Sequence, residues 1–167
     1  MANKKPLVTF RPTVPEDLEF YKQWLQQPGV LEGFPMSDKK EIDDAVRFWN
    51  QYLAKGASIT VLYKKKPVGA VNLYVQEVEK LKHQALFVVL VDEKYRRKGI
   101  GTLLIKELQK LAKNRFGIEI LHLEVYDKNP AVRLYERMGF KKYAHHPNYL
   151  KDMNGNYFGK FLMQMEL

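Results

Sequence analysis

The fold is decided by the stretch Val89-Leu90-Val91-Asp92-Glu93-Lys94-Tyr95-Arg96-Arg97-Lys98-Gly99-Ile100-Gly101-Thr102. An apolar strand ends here, a basic loop passes two glycines, and an amphipathic helix begins at once. Glycines let ligand oxygens approach the backbone, and the free N–H groups and dipole of a helix N-terminus attract anions. The pattern predicts a phosphate or pyrophosphate site, with a purely structural turn as the alternative.

The loop matches neither of two well-known phosphate-binding patterns. No G-x-x-x-x-G-K-[ST] sequence occurs, and Lys98 precedes the glycines, so the stretch is not a Walker loop. The third glycine of a G-x-G-x-x-G dinucleotide fingerprint would fall at Leu104. The ligand must therefore be identified from other parts of the chain.

Composition limits the chemistry. The chain has 167 residues, 28 Lys+Arg against 19 Asp+Glu, a formal net charge of +9 and no cysteine. Lack of cysteine excludes disulfide scaffolds, Cys-ligated metals and thiol nucleophiles. The length fits a single domain over residues 1–167. The charge fits nucleic acid, an anionic membrane surface or a polyanionic small ligand.

Targeting signals are not evident in the sequence. The first ten residues, MANKKPLVTF, lack the apolar core of a secretory signal. No apolar run approaches the ~18 residues of a membrane span. We therefore expect a cytoplasmic protein that does not associate with membranes.

Hydrophobic periodicity predicts the element order β-α-α-β-β-β-α-β-α-β-β. The expected strands cover 7–11, 58–63, 68–75, 86–91, 118–126, 140–149 and 157–166, with turns at 64–67 and 153–156. The expected helices run from Glu16 to Pro28, from the Asp38 cap through Leu53, from Gly99 to about Arg115, and from Pro130 to Gly139. This order predicts a mixed-sheet α/β fold of about seven strands and four helices, with at least one βαβ crossover.

Two segments resemble the motifs of the GNAT superfamily of N-acetyltransferases. Arg96-x-x-Gly99-x-Gly101 fits the [Q/R]-x-x-G-x-[G/A] motif, and residues 123–140, LEVYDKNPAVRLYERMGF, resemble the strand and N…A…LYE..GF pattern of the second motif. The predicted element order matches the family over essentially the whole chain. The resemblance implies a GNAT fold whose sheet is splayed between strands 86–91 and 118–126 around a cofactor cleft.

The resemblance implies acetyl-CoA as cosubstrate and no metal. In this family the pantetheine arm pairs with strand backbone, and the pyrophosphate lies on amides of the glycine loop. Asn129 matches a residue that contacts the cofactor arm, and it also fits a plain helix N-cap. The implied cofactor-binding residues are Val89, Leu90, Val91, Arg96, Arg97, Lys98, Gly99, Ile100, Gly101, Thr102 and Asn129.

Two catalytic residues are implied by the same resemblance. Tyr135 matches the tyrosine that protonates the departing CoA thiolate, and it also lies on the apolar face of its helix. Glu124 matches a glutamate proposed as general base in related ribosomal-protein alanine acetyltransferases. Alternation places Glu124 on the strand face of His122 and Tyr126, where a partly buried carboxylate would suit a base. An ion pair with one of the chain's cations is the equal alternative for Glu124.

Other segments bear on the acceptor. Residues 7–30 and the hairpin 154–157 resemble the amine-binding half of RimJ/RimL-like and polyamine-type acetyltransferases. Adjacent His145 and His146 point to opposite strand faces, so we expect surface positions rather than a metal chelate.

The sequence is thus interpreted as an acetyl-CoA-dependent N-acetyltransferase. The acyl group would pass to a primary amine, on a small molecule or a protein N-terminus, by direct attack in a ternary complex. The alternatives are a basic RNA- or ribosome-binding module and a catalytically silent CoA-binding sensor. Nucleic acid is not the expected partner, because basic and aromatic residues are spread along the chain. Homodimer formation is left open.

Overall fold

The computed structural model describes residues 7–167. Within that range the chain forms seven strands and four α-helices, in the predicted order. They are β1 (Val8–Pro12), α1 (Leu18–Leu25), α2 (Lys39–Ala54), β2 (Ser58–Tyr63), β3 (Lys66–Tyr74), β4 (Gln84–Val91), α3 (Ile100–Phe116), β5 (Ile120–Tyr126), α4 (Ala131–Arg137), β6 (Lys141–Lys151) and β7 (Tyr157–Glu166). The expectation about the first ten residues falls partly on residues 1–6, outside the described range. No helix in the described part is both long and apolar enough to cross a membrane.

All seven strands belong to one sheet, in the order β1-β2-β3-β4-β5-β7-β6. Every neighbouring pair is antiparallel except β4 and β5, which are parallel and joined through α3. A parallel neighbour reached through a helix is the crossover that the sequence predicts. The mixed α/β sheet is confirmed, and the apolar strand β4 lies at its centre.

Helices cover both faces of the sheet. The buried residues of α3 follow helical spacing and pack with α4 on one face; they are Ile100, Leu104, Ile105, Leu108 and Ala112. On the other face, α1 and α2 place Trp24 and Trp49 over Ala70 of β3 and Leu90 of β4. This second layer contacts β3 and β4 and leaves β5 uncovered on that face.

Most predicted bounds differ from the observed ones by one to three residues, and two of these differences have a local cause. The 64–67 turn is a two-residue turn at Lys64 and Lys65, both with positive φ, and β3 already begins at Lys66. Pro67 is accommodated in β3 because the β2/β3 register shifts beside it. Helix α4 begins at Ala131, so Pro130 occupies the capping position rather than the first turn.

Candidate active site

Strands β4 and β5 separate along their length. They pair at three positions only, Gln84 with Ile120, Ala85 with Leu121 and Leu86 with His122. Beyond Leu86, β4 continues to pair with β3 on its other edge, and β5 pairs with β7 along its whole length. The facing edges of β4 and β5 are therefore left without a strand partner. The predicted splay of the sheet is confirmed.

A cleft of about 620 Å³ occupies this gap, a volume typical of small-molecule sites. Eleven of the thirteen predicted site residues line it: Val89, Val91, Arg96, Arg97, Gly99, Ile100, Gly101, Thr102, Glu124, Asn129 and Tyr135. Leu90 points into the core beneath α1 and α2 instead. The Lys98 side chain also turns away, because its Nζ donates to the Lys94 carbonyl at 2.9 Å and lies over the Tyr95 ring. For these two residues only the backbone remains a candidate for binding.

The glycine loop at one end of the cleft is suited to an anion. Gly99, the N-cap of α3, has φ 78°, and Arg97 before it is also left-handed at φ 58°. The first N–H groups of α3 have no partner within the helix, and no acidic side chain stands in its first turn. A Cβ atom on Gly101 would meet only Leu134 Cδ2, at 3.7 Å. Open space, free donors and nearby cations therefore meet at this point.

The loop between α1 and α2 forms a wall of the cleft, and the segment 7–30 that resembles an amine-binding half includes only its beginning. Its lining residues are Gly29, Val30, Glu32, Gly33 and Phe34. Arg96 Nη1 donates to the Gly29 carbonyl at 3.3 Å, and Gln27 hydrogen-bonds both Asp92 Oδ1 and the Glu93 N–H. These contacts span more than 60 residues of sequence, so no local pattern indicates them. Arg96 thus holds the wall loop in addition to lining the cleft.

The position of Tyr135 is compatible with both interpretations of this residue, as a core residue and as a proton donor in the cleft. Its ring is buried on α4 and makes edge contacts with Phe87 and Phe140, at centroid distances of 6.3 and 5.9 Å. The residue nevertheless lines the cleft, and no hydrogen bond within residues 7–167 engages its hydroxyl. Burial raises the pKa of Tyr135 to about 12. The phenol is therefore a proton donor across the neutral range.

Glu124 lines the cleft and is paired with a lysine. Its side chain is 42% exposed, and Oε2 accepts a hydrogen bond from Lys160 Nζ at 2.8 Å. The exposure follows from the helix layer: Glu124 is on the face of α1 and α2, which do not extend over β5. The ion-pair alternative is thus observed, and Lys160 is a neighbour of the cleft that the sequence did not indicate.

Lys160 is a buried residue of β7. Burial lowers the pKa of its ammonium, but the hydrogen bond and charge of Glu124 outweigh that effect, so the pKa lies above its usual value. Its Nζ is also 3.7 Å from the centroid of the Tyr149 ring. The lysine is therefore charged and held from two sides.

Asn129 was predicted as the N-cap of α4, but it lies one position before the N-cap, which is Pro130. Its Oδ1 accepts from the Ala131 N–H at 2.9 Å, which supports the capping interpretation. The same side chain lines the cleft, and its Nδ2 would be 3.2 Å from a Cβ atom on Gly33. Both roles are thus compatible with its position.

The two histidines are exposed, as predicted. His145 Nε2 pairs with Asp127 Oδ2 at 3.0 Å, while His146 makes an edge contact with Tyr149. In the part of the chain that the structure describes, no three His, Asp or Glu side chains are grouped to hold a metal.

Together these features define an α/β protein with one open cleft, which combines a glycine loop suited to an anion with polar side chains. The model of the Acetyltransferase (GNAT) family matches residues 18–140. The chain therefore belongs to the GNAT acetyltransferase family, which confirms the resemblance of its two motifs.

Similar proteins of assigned activity match part of the chain. An N-alpha-acetyltransferase of Saccharolobus solfataricus is 47% identical over 55 residues, 32% of this chain and 33% of the relative. The L-amino acid N-acetyltransferase AaaT of Escherichia coli is 30% identical over 84 residues, 46% of this chain and 52% of the relative. The chain thus spans about a third to a half of the length of these relatives.

Solved structures match nearly the whole chain. The ribosomal-protein-S18-alanine N-acetyltransferase from Escherichia coli has a TM-score of 0.75 and 25% identity, covering 96% of this chain and 94% of that one. The structure of yncA from Salmonella typhimurium with its cofactor acetyl-CoA has a TM-score of 0.79 and 18% identity, with coverage of 96% and 94%. At that level of identity, the second structure establishes the shared fold alone.

Proposed function

We propose that this protein transfers an acetyl group from acetyl-CoA to a primary amine. The observation that carries the proposal is the opening between β4 and β5, with an anion-binding loop at one end and Tyr135 and Glu124 on its lining. Family membership and the acetyl-CoA of the Salmonella yncA structure support the choice of cosubstrate.

The residues present fit acetyl-CoA chemically. The N–H groups from Arg97 to Thr102 would hold the pyrophosphate, with Arg96 and Arg97 adding positive charge. The unpaired edge of Val89–Val91 would hydrogen-bond the amide-containing arm as an added strand does. When bound, acetyl-CoA supplies an activated thioester.

Two side chains of the protein, Tyr135 and Glu124, would then carry out the two proton transfers. The Tyr135 hydroxyl, with its pKa near 12, keeps its proton and donates it to the leaving sulfur. Glu124 accepts the proton that the acceptor ammonium must lose, through the carboxylate oxygen that Lys160 does not occupy. The chain has no cysteine, so a thiol acyl-enzyme is excluded, and the route we propose is direct attack of the amine in a ternary complex.

The acceptor class is a primary amine on a small molecule or a protein N-terminus. The assigned activities of the archaeal and Escherichia coli relatives support this range. Outside the glycine loop, the cleft lining includes the aromatic residues Phe34, Tyr126 and Phe158 and the acidic residues Glu32 and Glu124. An apolar wall with a few carboxylates suits a singly charged amine with an apolar neighbour.

A thermal melt and a CoA-release assay test the proposal together. Acetyl-CoA at 100 times its Kd is expected to stabilise the fold by about 2.7 kcal/mol, seen as a higher Tm. CoA release is expected with at least one acceptor from a panel of spermidine, glucosamine, L-methionine, kanamycin and an alanyl peptide. Acetyl-CoA binding without turnover would instead support a silent sensor. RNA affinity that falls steeply with salt, with no effect of acetyl-CoA, would support a binding module.

A further inference from the structure

Lys160 is an unusual cation in this molecule. Among residues 7–167 it is the only lysine or arginine that is buried, with 8% of its surface exposed. A buried charge is costly unless it is paired, and an apolar side chain of similar size often stabilises such a position as well or better. Stability alone therefore does not account for a lysine at this position.

The sheet register explains how Lys160 reaches its partner. Residue 160 of β7 pairs with Tyr126 of β5, one step along the same face from Glu124, whose own partner is Leu162. From there Lys160 Nζ donates to Glu124 Oε2 at 2.8 Å, while the Tyr149 ring of β6 lies 3.7 Å away. Three strands thus fix the ammonium behind the carboxylate.

The pair is asymmetric toward the cleft. The Lys160 side chain is 10% exposed and the Glu124 side chain 42% exposed, and only Glu124 lines the cleft. No hydrogen bond within the described residues engages Glu124 Oε1. The carboxylate therefore stands between the cation and the cleft, with one oxygen held and the other available.

We infer that Lys160 is the positioning residue for Glu124, holding Oε2 so that Oε1 is presented to the acceptor amine. The inference rests on the proposed function, because it assigns Lys160 a role in the same reaction. Lys160 acts through Glu124 and touches neither acetyl-CoA nor the acceptor.

Other ionisable groups share this region and must be separated from the pair in any pH measurement. They are His122 and Tyr126 on β5, His146 and Tyr149 on β6, and Glu32 and Lys128 in the loops that line the cleft. Burial lowers the pKa of His122. Burial, with Tyr149 and Glu124, raises the pKa of Tyr126 to about 12. A change in the pH profile is therefore attributed to the Lys160–Glu124 pair only if Glu124→Gln abolishes it.

The test compares Lys160→Met, Lys160→Arg and a matched control. Lys142 offers the control, since its Nζ pairs with Glu136 at 2.9 Å and lies 4.3 Å over the Phe161 ring, but Lys142 does not line the cleft. Lys160→Met keeps the apolar stem and removes the charge. We expect its kcat to fall about 10- to 100-fold with the best acceptor of the panel, and the affinity for acetyl-CoA to stay within twofold. Lys160→Arg is expected to recover most of kcat, and Lys142→Met to keep all of it.

The pH profile separates positioning from a general structural loss. Removing a cation beside a carboxylate favours the protonated carboxyl, so the acidic limb of kcat/KM is expected to move to higher pH in Lys160→Met. A uniform loss with an unmoved limb, or a loss that Lys160→Arg does not reverse, would overturn the inference.

A crystal structure of each variant provides a readout that needs no acceptor. We expect Glu124 to leave its rotamer in Lys160→Met and to keep it in Lys160→Arg. An unchanged Glu124 rotamer in Lys160→Met would refute the positioning role. Absence of turnover by the unmodified protein with every acceptor would instead count against the proposed function, and the rotamer comparison would still decide the inference.

Discussion

Leu86 and His122 are the last residues at which β4 and β5 pair. Past this pair β3 continues to hold the outer edge of β4, and β7 holds that of β5. The two inner edges are thus kept in place with free backbone groups, as at the exposed edges that bind added strands. This gap is where we propose that the pantetheine arm of acetyl-CoA binds. The pyrophosphate of the same molecule would lie at the glycine loop, which the first prediction tests.

Gly101→Glu tests the pyrophosphate site. We expect acetyl-CoA affinity to weaken about tenfold or more, because the carboxylate would repel phosphate in a space that is now open. An acid in the first turn favours the α3 dipole, so the Tm without ligand is expected to hold. Calorimetric titration measures the affinity, and Gly101→Gln is the size-matched neutral control. Equal affinity of the Glu and Gln variants would remove the phosphate from this position.

Tyr135→Phe tests the acid. We expect kcat to fall by up to about 100-fold and the Tm to change little, since the ring contacts with Phe87 and Phe140 are kept. Because the Tyr135 pKa lies near 12, this phenol does not shape the pH profile of the unmodified protein below about pH 11. The pH profile of Tyr135→Phe is therefore expected to have the same shape below that pH. Full activity in steady-state assays would assign Tyr135 to the core alone.

Local patterns predicted much of the fold. Ser58–Tyr63 was predicted with the observed bounds, and the Asp38 cap is present, with its carboxylate accepting from the Glu41 N–H at 2.8 Å. These features depend on residues within a few positions of one another, where periodicity, capping and turn chemistry act.

Long-range packing explains what the sequence could not provide. Strand alternation put Glu124 on the correct face, but its exposure depends on how far α1 and α2 extend, and these helices pack over β3 and β4. Lys160 meets Glu124 across 36 positions through the β5/β7 register. Arg96 reaches Gly29 across 67 positions. Such contacts are set by tertiary geometry that a single sequence does not encode locally.

Asp17→Asn tests how the N-terminal strand is held to the sheet. The Asp17 carboxylate accepts two hydrogen bonds from Arg11, at 2.6 and 2.9 Å, and others from the Val14 N–H and Thr60 Oγ1. Burial raises the pKa of Asp17, but these hydrogen bonds outweigh it, so the pKa lies below its usual value. Asp17 is buried and Arg11 is one-third exposed, so removing the carboxylate charge is expected to cost about 1.5–3 kcal/mol at pH 7.

The pH dependence of that loss has a defined sign. Because the folded-state pKa of Asp17 is depressed, its stabilisation is complete above the unfolded value near 3.8 and is lost as pH falls through the lower folded value. Urea unfolding from pH 2 to pH 7 is therefore expected to show the unmodified protein and Asp17→Asn converging in acid. A gap that stays constant with pH would show that the carboxylate charge is not responsible.

Gly159→Ala tests the support beneath the β5–α4 loop. A Cβ atom at Gly159 would lie 2.5 Å from both Asp127 Oδ2 and His145 Nε2, so it would separate the pair that ties this loop to β6. Both atoms are the ends of side chains that can turn away, so we expect the unfolding free energy to fall by no more than about 1 kcal/mol, the contribution of an exposed ion pair. Gly101→Ala, whose Cβ meets only an ordinary contact at 3.7 Å, is the matched control for stability. Because Asp127 stands two residues before Asn129, acetyl-CoA affinity is also expected to fall, and unchanged affinity would show that this pair does not position Asn129.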